Sequence, residues 1–180
     1  MKAVEVLKRR PVVALLAFVL LGGSAIAGRK LLRDKSVLVG AVVKPLTLPI
    51  VANISAGAQV SVPNPAKRIV VLDMFETTCG PCKKSLPRAQ YRFDAEVDVQ
   101  FVAVCLDEDR SAAERVAAEW GLKKEVAWDE KGEARRQFNV VGIPATVIIA
   151  PNGLITGNFG GYEPSEADLN RALTDARNAI

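Results

Sequence analysis

Histidine is absent from this chain of 180 residues. That excludes histidine-ligated metal sites and every catalytic pair that uses an imidazole base, Ser/His and Cys/His alike. Cysteine is scarce too, limited to Cys79, Cys82 and Cys105. A structural zinc site takes four ligands, so one close pair and a distant third thiol do not make one, and no metal or other cofactor is expected. A basic face is also missing from the body of the chain. The formal charge is +4, but Lys2, Lys8, Arg9 and Arg10 against Glu5 put a net +3 into the first 27 residues. The near-neutral remainder argues against nucleic acid as a partner. There is no internal repeat and no low-complexity tract.

What is present describes a folded domain. With 49% hydrophobic and 24% charged residues the chain is not disordered in composition, and its length suits one domain plus a short extra segment. That segment is the N-terminus, where a basic head precedes an apolar run over residues 11–28. Two readings fit residues 1–27. The small-residue end "GGSAIAG", with Ala25 and Ala27 in the relation signal peptidase favours, suggests a cleavable signal peptide. The length of the run, near the lower limit for a span, suggests a retained membrane anchor. Arg29, Lys30, Arg33 and Lys35 beyond it weigh against the anchor, because positive charge prefers the cytoplasmic side. Either reading places the rest outside the cytoplasmic membrane, in an oxidising compartment. Residues 28–39 then form a basic lead-in and 40–180 the folded domain.

Along that domain, "LTLPI" (46–50) and "AQVSVP" (58–63) predict a small hairpin. The apolar, β-branched run at 67–75 predicts a strand covered on both faces. Pro81 suits the first turn of a helix continuing over 83–95, which Pro87 should bend. A second buried strand is predicted at 99–107, and a helix at 109–121 with Ala113, Val116, Ala117 and Trp120 on one face. A short strand (125–128) and a short helix (130–138) follow, then strands at 145–150 and 154–159 joined by Pro-Asn-Gly. The last helix, 163–180, carries Leu169, Ala172, Leu173 and Ala176 along one side. This order predicts an α/β fold with flanking helices and a terminal antiparallel hairpin.

The chemistry centres on "FETTCGPCKKSLP" (75–87). A cysteine where a strand passes into a helix meets the unpaired N–H groups of the first turn, which favour the thiolate. Cys79 is therefore predicted to be the exposed nucleophile, attacking a substrate disulfide, and Cys82, one turn on, to resolve the mixed disulfide. An inert structural disulfide is the competing reading. Gly80 permits the tight turn and Pro81 restricts it. Asp73, inside an apolar strand, is costly to bury without a role, and a proton relay for Cys82 would supply one. The alternative is an edge-facing aspartate that bonds a neighbour. Glu76 either shares that work or faces water. A cis Pro144 would leave the backbone of Ile143 open to pair with a bound peptide, whereas a trans one would merely start a strand. Cys105 reads first as a small buried hydrophobe. Trp120 and Trp128 read as packing.

"VVLDMFETTCGPCKKSLP" together with "VGIPATVIIAPNG" and "GNFGGY" resembles the thioredoxin superfamily. The exported start and the lead-in "LTLPIVANISAGAQVSV" resemble its TlpA/ResA-like extracytoplasmic branch. The likeness spans roughly residues 40–178. It implies a thioredoxin-like fold with a central mixed β-sheet and a Cys79–Cys82 redox disulfide. It also implies a cis Pro144 facing the pair, Pro87 as the helix-bending proline, and Asp73 as the buried aspartate. Gly160 and Gly161 fall where substrate backbone passes. The implied activity is thiol–disulfide exchange on exported proteins, mainly as a reductant, with a membrane electron donor; an oxidant, an isomerase or a non-catalytic assembly factor are the alternatives. Two departures matter. Such proteins commonly read "FWATWCGPC", and here Thr78 and Phe75 stand where tryptophans flank the cysteines, altering the docking surface. The lysine that accompanies the buried aspartate is missing, with Ala103 or a neighbour in its place.

Overall fold

The computed structural model describes residues 38–53 and 57–179. The signal peptide or anchor expected over 1–27, its apolar run, and most of the 28–39 lead-in lie outside these residues. Among the described residues no helix is long and apolar enough to cross a membrane.

The chain runs β1 (Leu46–Ala52), β2 (Gln59–Val62), β3 (Ile69–Phe75), α1 (Gly80–Arg92), β4 (Val99–Cys105), α2 (Arg110–Glu119), β5 (Glu125–Trp128), α3 (Glu133–Gln137), β6 (Ala145–Ile149), β7 (Ile155–Gly160) and α4 (Glu166–Asn178). The strands join in the order β2-β1-β5-β4-β3-β6-β7. The β3–β4 and β4–β5 pairs are parallel; β3–β6, β6–β7, β1–β5 and β1–β2 are antiparallel. This is the mixed sheet and terminal hairpin that the sequence predicts. What the sequence did not place is the first hairpin, which extends the sheet along β5.

β3 explains the arrangement. Every one of its residues is buried, because β4 and β6 flank it and packing covers both faces. Ile69, Val71 and Phe75 point into a core shared with Leu86 and Phe93 of the α1 segment, Val116 of α2 and Leu173 of α4. Val70, Leu72 and Met74 point the other way, against Ala134 and Phe138 of the α3 segment and Leu48 of β1. Alternation along one strand thus serves two cores.

The helices begin where short polar groups cap them. Asp109 accepts from the Ser111 N–H at 2.9 Å, and Ser165 from the Asp168 N–H at 3.2 Å. Helix α1 begins where the sequence puts Pro81 in a first turn, and it stops short of the expected residue 95. Its first residue is Gly80 and it closes on Phe93, whose N–H donates to the Ala89 carbonyl at 3.2 Å. Pro87 lies inside it without ending it. Buried Gln90 ties α1 to the α2–β5 connection, accepting from the Lys123 N–H (2.7 Å) and donating to the Gly121 carbonyl (3.0 Å). Among the described residues two X–Pro bonds are cis. Ile143–Pro144 was one of two sequence readings, while Val62–Pro63 carried no advance sign.

Candidate active site

Cys79 caps α1. It has extended backbone angles, and its Sγ accepts from the Cys82 N–H at 3.1 Å. Cys79 and Cys82 are joined as a disulfide, with their Cα atoms 5.3 Å apart. The two sulfurs are not equivalent: Cys79 keeps 8% of its surface and Cys82 none. Exposure at Cys79 is smaller than the sequence suggested, yet the asymmetry has the expected direction. Thr78, Gly80 and Pro81 are all exposed around it, forming a rim with no aromatic residue.

The approach to the pair is held from below. The Thr77 N–H donates to Asp107 Oδ2 at 2.8 Å and its hydroxyl to Oδ1 at 3.2 Å. Asp107 also accepts from the Cys105 thiol at 3.1 Å, while its carbonyl accepts from Trp128 Nε1 at 2.8 Å. Burial, chiefly, pushes the Cys105 thiol up to about 12, which keeps it protonated and a donor. The Glu76 carbonyl accepts from the Cys79 N–H at 3.0 Å, while its carboxylate forms an ion pair with Arg135 of α3. Trp128 therefore has a polar role beyond packing.

Asp73 is not at an edge. It lies opposite Ala103 on β4 and Thr146 on β6, and is 3% exposed. Ala103 fills the cross-strand position with a methyl group, so no cation neutralises the carboxylate there. Its Oδ1 has no hydrogen-bond partner. Burial, and secondarily the negative charge of Glu163, pushes the Asp73 carboxyl up to about 7. It lines a cavity of about 160 Å³ together with Ser85, Arg88, Pro144, Thr146 and Glu163. Ser85, one turn along α1 from Cys82, lines this space, and its hydroxyl approaches the Cys82 carbonyl at 3.4 Å.

Pro144 is buried, cis, and shares that cavity. The loop before it is fastened to the end of β7. The Gly161 N–H donates to both the Gly142 carbonyl (3.1 Å) and the Pro144 carbonyl (2.9 Å). A Cβ at Gly142 would meet Gly161 Cα at 3.1 Å, and Gly161 itself has φ +82°, so both positions need glycine. At Gly160, the residue singled out from sequence, a Cβ would meet only ordinary contact at 3.8 Å. Ile143 is half-buried beside the proline.

The structure therefore brings Asp73 and Pro144 to one cavity walled by α1, the helix whose start carries Cys79 and Cys82. Sequence reasoning missed Ser85, Asp107, Arg135 and Glu163. Asp107 could have been suspected, because it follows the carboxyl end of a parallel strand, where α/β sheets place their sites. Glu163 and Arg135 sit in segments that carry no local signal.

A family model described as Redoxin matches residues 40–174. The chain belongs to the Redoxin family. This Redoxin-family protein is 34% identical over 88 residues to the thiol-disulfide oxidoreductase ResA of Oceanobacillus iheyensis, a match covering 48% of this chain and 46% of that one. Against the sporulation thiol-disulfide oxidoreductase A of Bacillus subtilis the identity is 28%, covering 55% and 62%. The matches thus span about half the length of these relatives. Among solved structures, a provisionally assigned thiol:disulfide interchange protein DsbE from Chlorobium tepidum superposes with TM-score 0.63 and 29% identity, covering 76% of this chain and 96% of that one. StoA from Bacillus subtilis, at TM-score 0.58 and 22% identity, shares the fold, with 77% and 98% covered. These likenesses put the Redoxin-family chain in the TlpA/ResA-like part of the thioredoxin superfamily.

Proposed function

We propose that this protein is a thiol–disulfide oxidoreductase that reduces disulfides of exported proteins through Cys79 and Cys82. The observation that carries the reading is the unequal pair at the start of α1: Cys79 capping the helix with some surface open, Cys82 sealed behind it. In the reduced protein the Cys79 thiolate attacks one sulfur of a substrate disulfide, and the other sulfur leaves as a thiolate. Cys82 then gives its proton to the Asp73 carboxylate and attacks Cys79 Sγ. The mixed disulfide breaks, the second substrate sulfur leaves, and two electrons have passed to the substrate. Asp73 as the proton acceptor is supported by its burial and by a carboxyl pushed up to about 7, near the pH at which proton transfer is most useful.

The cis Pro144 supports a docking role for the Ile143 backbone, with Gly160 and the exposed Thr78, Gly80 and Pro81 completing the contact surface. Because the tryptophans of the common pattern are missing there, the partner is one that does not need an aromatic rim. Each turnover leaves the pair oxidised, so a two-electron donor must restore it. A membrane donor fits the reading of residues 1–27 as signal or anchor and an extracytoplasmic site for the domain.

Equilibrating the pair with glutathione or dithiothreitol buffers measures its reduction potential. A reductant lies near the thioredoxin value of about −270 mV; a result near the DsbA value of about −120 mV would make the protein an oxidant instead.

A further inference from the structure

The cavity above Asp73 has charged walls that the exchange chemistry alone does not use. We propose that Glu163 is a positioning residue for the proton relay: held at the cavity mouth by Arg88, its negative charge disfavours the ionised form of Asp73 and so favours Asp73 holding the proton that Cys82 gives up. This inference rests on the relay reading of Asp73.

The geometry runs from floor to rim. Asp73 forms the floor, almost sealed from solvent, with one oxygen unpartnered. A buried carboxyl oxygen that nothing in the protein satisfies calls for water, and about 160 Å³ holds several. Glu163 and Arg88 line the same space, and their side chains are about half or more exposed, so they stand at its mouth. Arg88 Nη2 donates to Glu163 Oε2 at 2.7 Å, which fixes the carboxylate in position. The other charged groups of the cavity are Arg92 of α1 and Glu166 of α4, and these pair with each other at 2.8 Å. From the sheet, Asp73 is faced only by uncharged Ala103 and Thr146. Glu163 is thus the charge that acts on Asp73, and it acts by raising its proton affinity.

The proton balance follows. When Cys82 attacks Cys79, its proton moves to the Asp73 carboxylate. Before the next turnover that proton must leave, and the cavity mouth beside Glu163 and Arg88 is its way to solvent.

Carbon NMR of the aspartate carboxyls in the oxidised full chain, with Asp73→Asn to assign the signal, reads the Asp73 midpoint. Glu163→Gln is expected to lower it by about half a pH unit, and Glu163→Lys to lower it further. Glu114→Gln, on α2 outside the cavity, removes the same charge and is expected to leave it in place. The pH profile of substrate-disulfide reduction should move with the midpoint in both Glu163 variants. An unmoved midpoint in both, or the same displacement in Glu114→Gln, overturns the inference. Should Asp73→Asn leave that pH profile unchanged, the relay reading falls and this one with it. Should the profile collapse in Asp73→Asn while the Glu163 variants leave Asp73 untouched, the coupling alone is wrong.

Discussion

Asp73 holds a proton in the folded protein over a pH range where the unfolded chain has released it. Its carboxyl is pushed from an ordinary 3.8 to about 7, mainly by burial. The contribution of Asp73 to stability is therefore greatest below the lower value, declines as pH rises from about 4 to about 7, and levels off above. A shift of that size amounts to about 4 kcal/mol as an upper figure. Asp73→Asn removes the ionisation, so denaturant unfolding at pH 8 should find the variant more stable than the parent, and that margin should vanish near pH 4. Equal stability at both pH values would show that Asp73 is not strained by its site. The same variant should slow resolution by Cys82 while leaving attack by Cys79 in place. At this scale the cysteine pair and the buried aspartate were legible because each is a local anomaly: a CxxC at a strand end, a charge inside an apolar run. Glu163 was not, since "GGYEPS" acquires meaning only when the fold carries it to the cavity, and Asp107 offered no more than its place after a parallel strand.

Asp107 belongs to the scale of elements, because it joins three of them. It accepts from the loop before α1 and from Cys105 at the end of β4, while its carbonyl receives Trp128 of β5. Asp107→Ala leaves the Thr77 N–H and the Cys105 thiol without their acceptor, a loss of roughly 1–3 kcal/mol. Thermal unfolding should show that loss, and hydrogen exchange should show the Thr77 amide released. A protected Thr77 amide in the variant would mean that the loop is held by something else. Most elements were legible from periodicity, as the four-residue face of α4 illustrates. The sulfur cap of α1 was less so. Cys79 acts as its cap through sulfur, whereas the familiar capping residues offer oxygen.

For the molecule as a whole, the sheet divides two cores that ought to respond separately. Phe138 is fully buried on the face that holds α3, away from α1 and the disulfide. Phe138→Ala should cost about 3–5 kcal/mol and lower Tm, yet leave the reduction potential unchanged. A shifted potential would show that the far core tunes the site. The α/β class and the mixed character of the sheet could be anticipated from element order and from the resemblance. The attachment of β1 to β5 could not, because strand neighbours distant in sequence leave no local trace.

The central claim is a division of labour between two sulfurs, and trapping tests it most directly. Each single-cysteine variant, reduced, is mixed with a peptide disulfide and the products are located by mass spectrometry. Cys82→Ser should accumulate a stable mixed disulfide on Cys79, and Cys79→Ser should form none, because its two remaining thiols, Cys82 and Cys105, are sealed. An adduct on Cys82 in the Cys79→Ser protein, or reductase turnover that survives Cys79→Ser, would contradict the account.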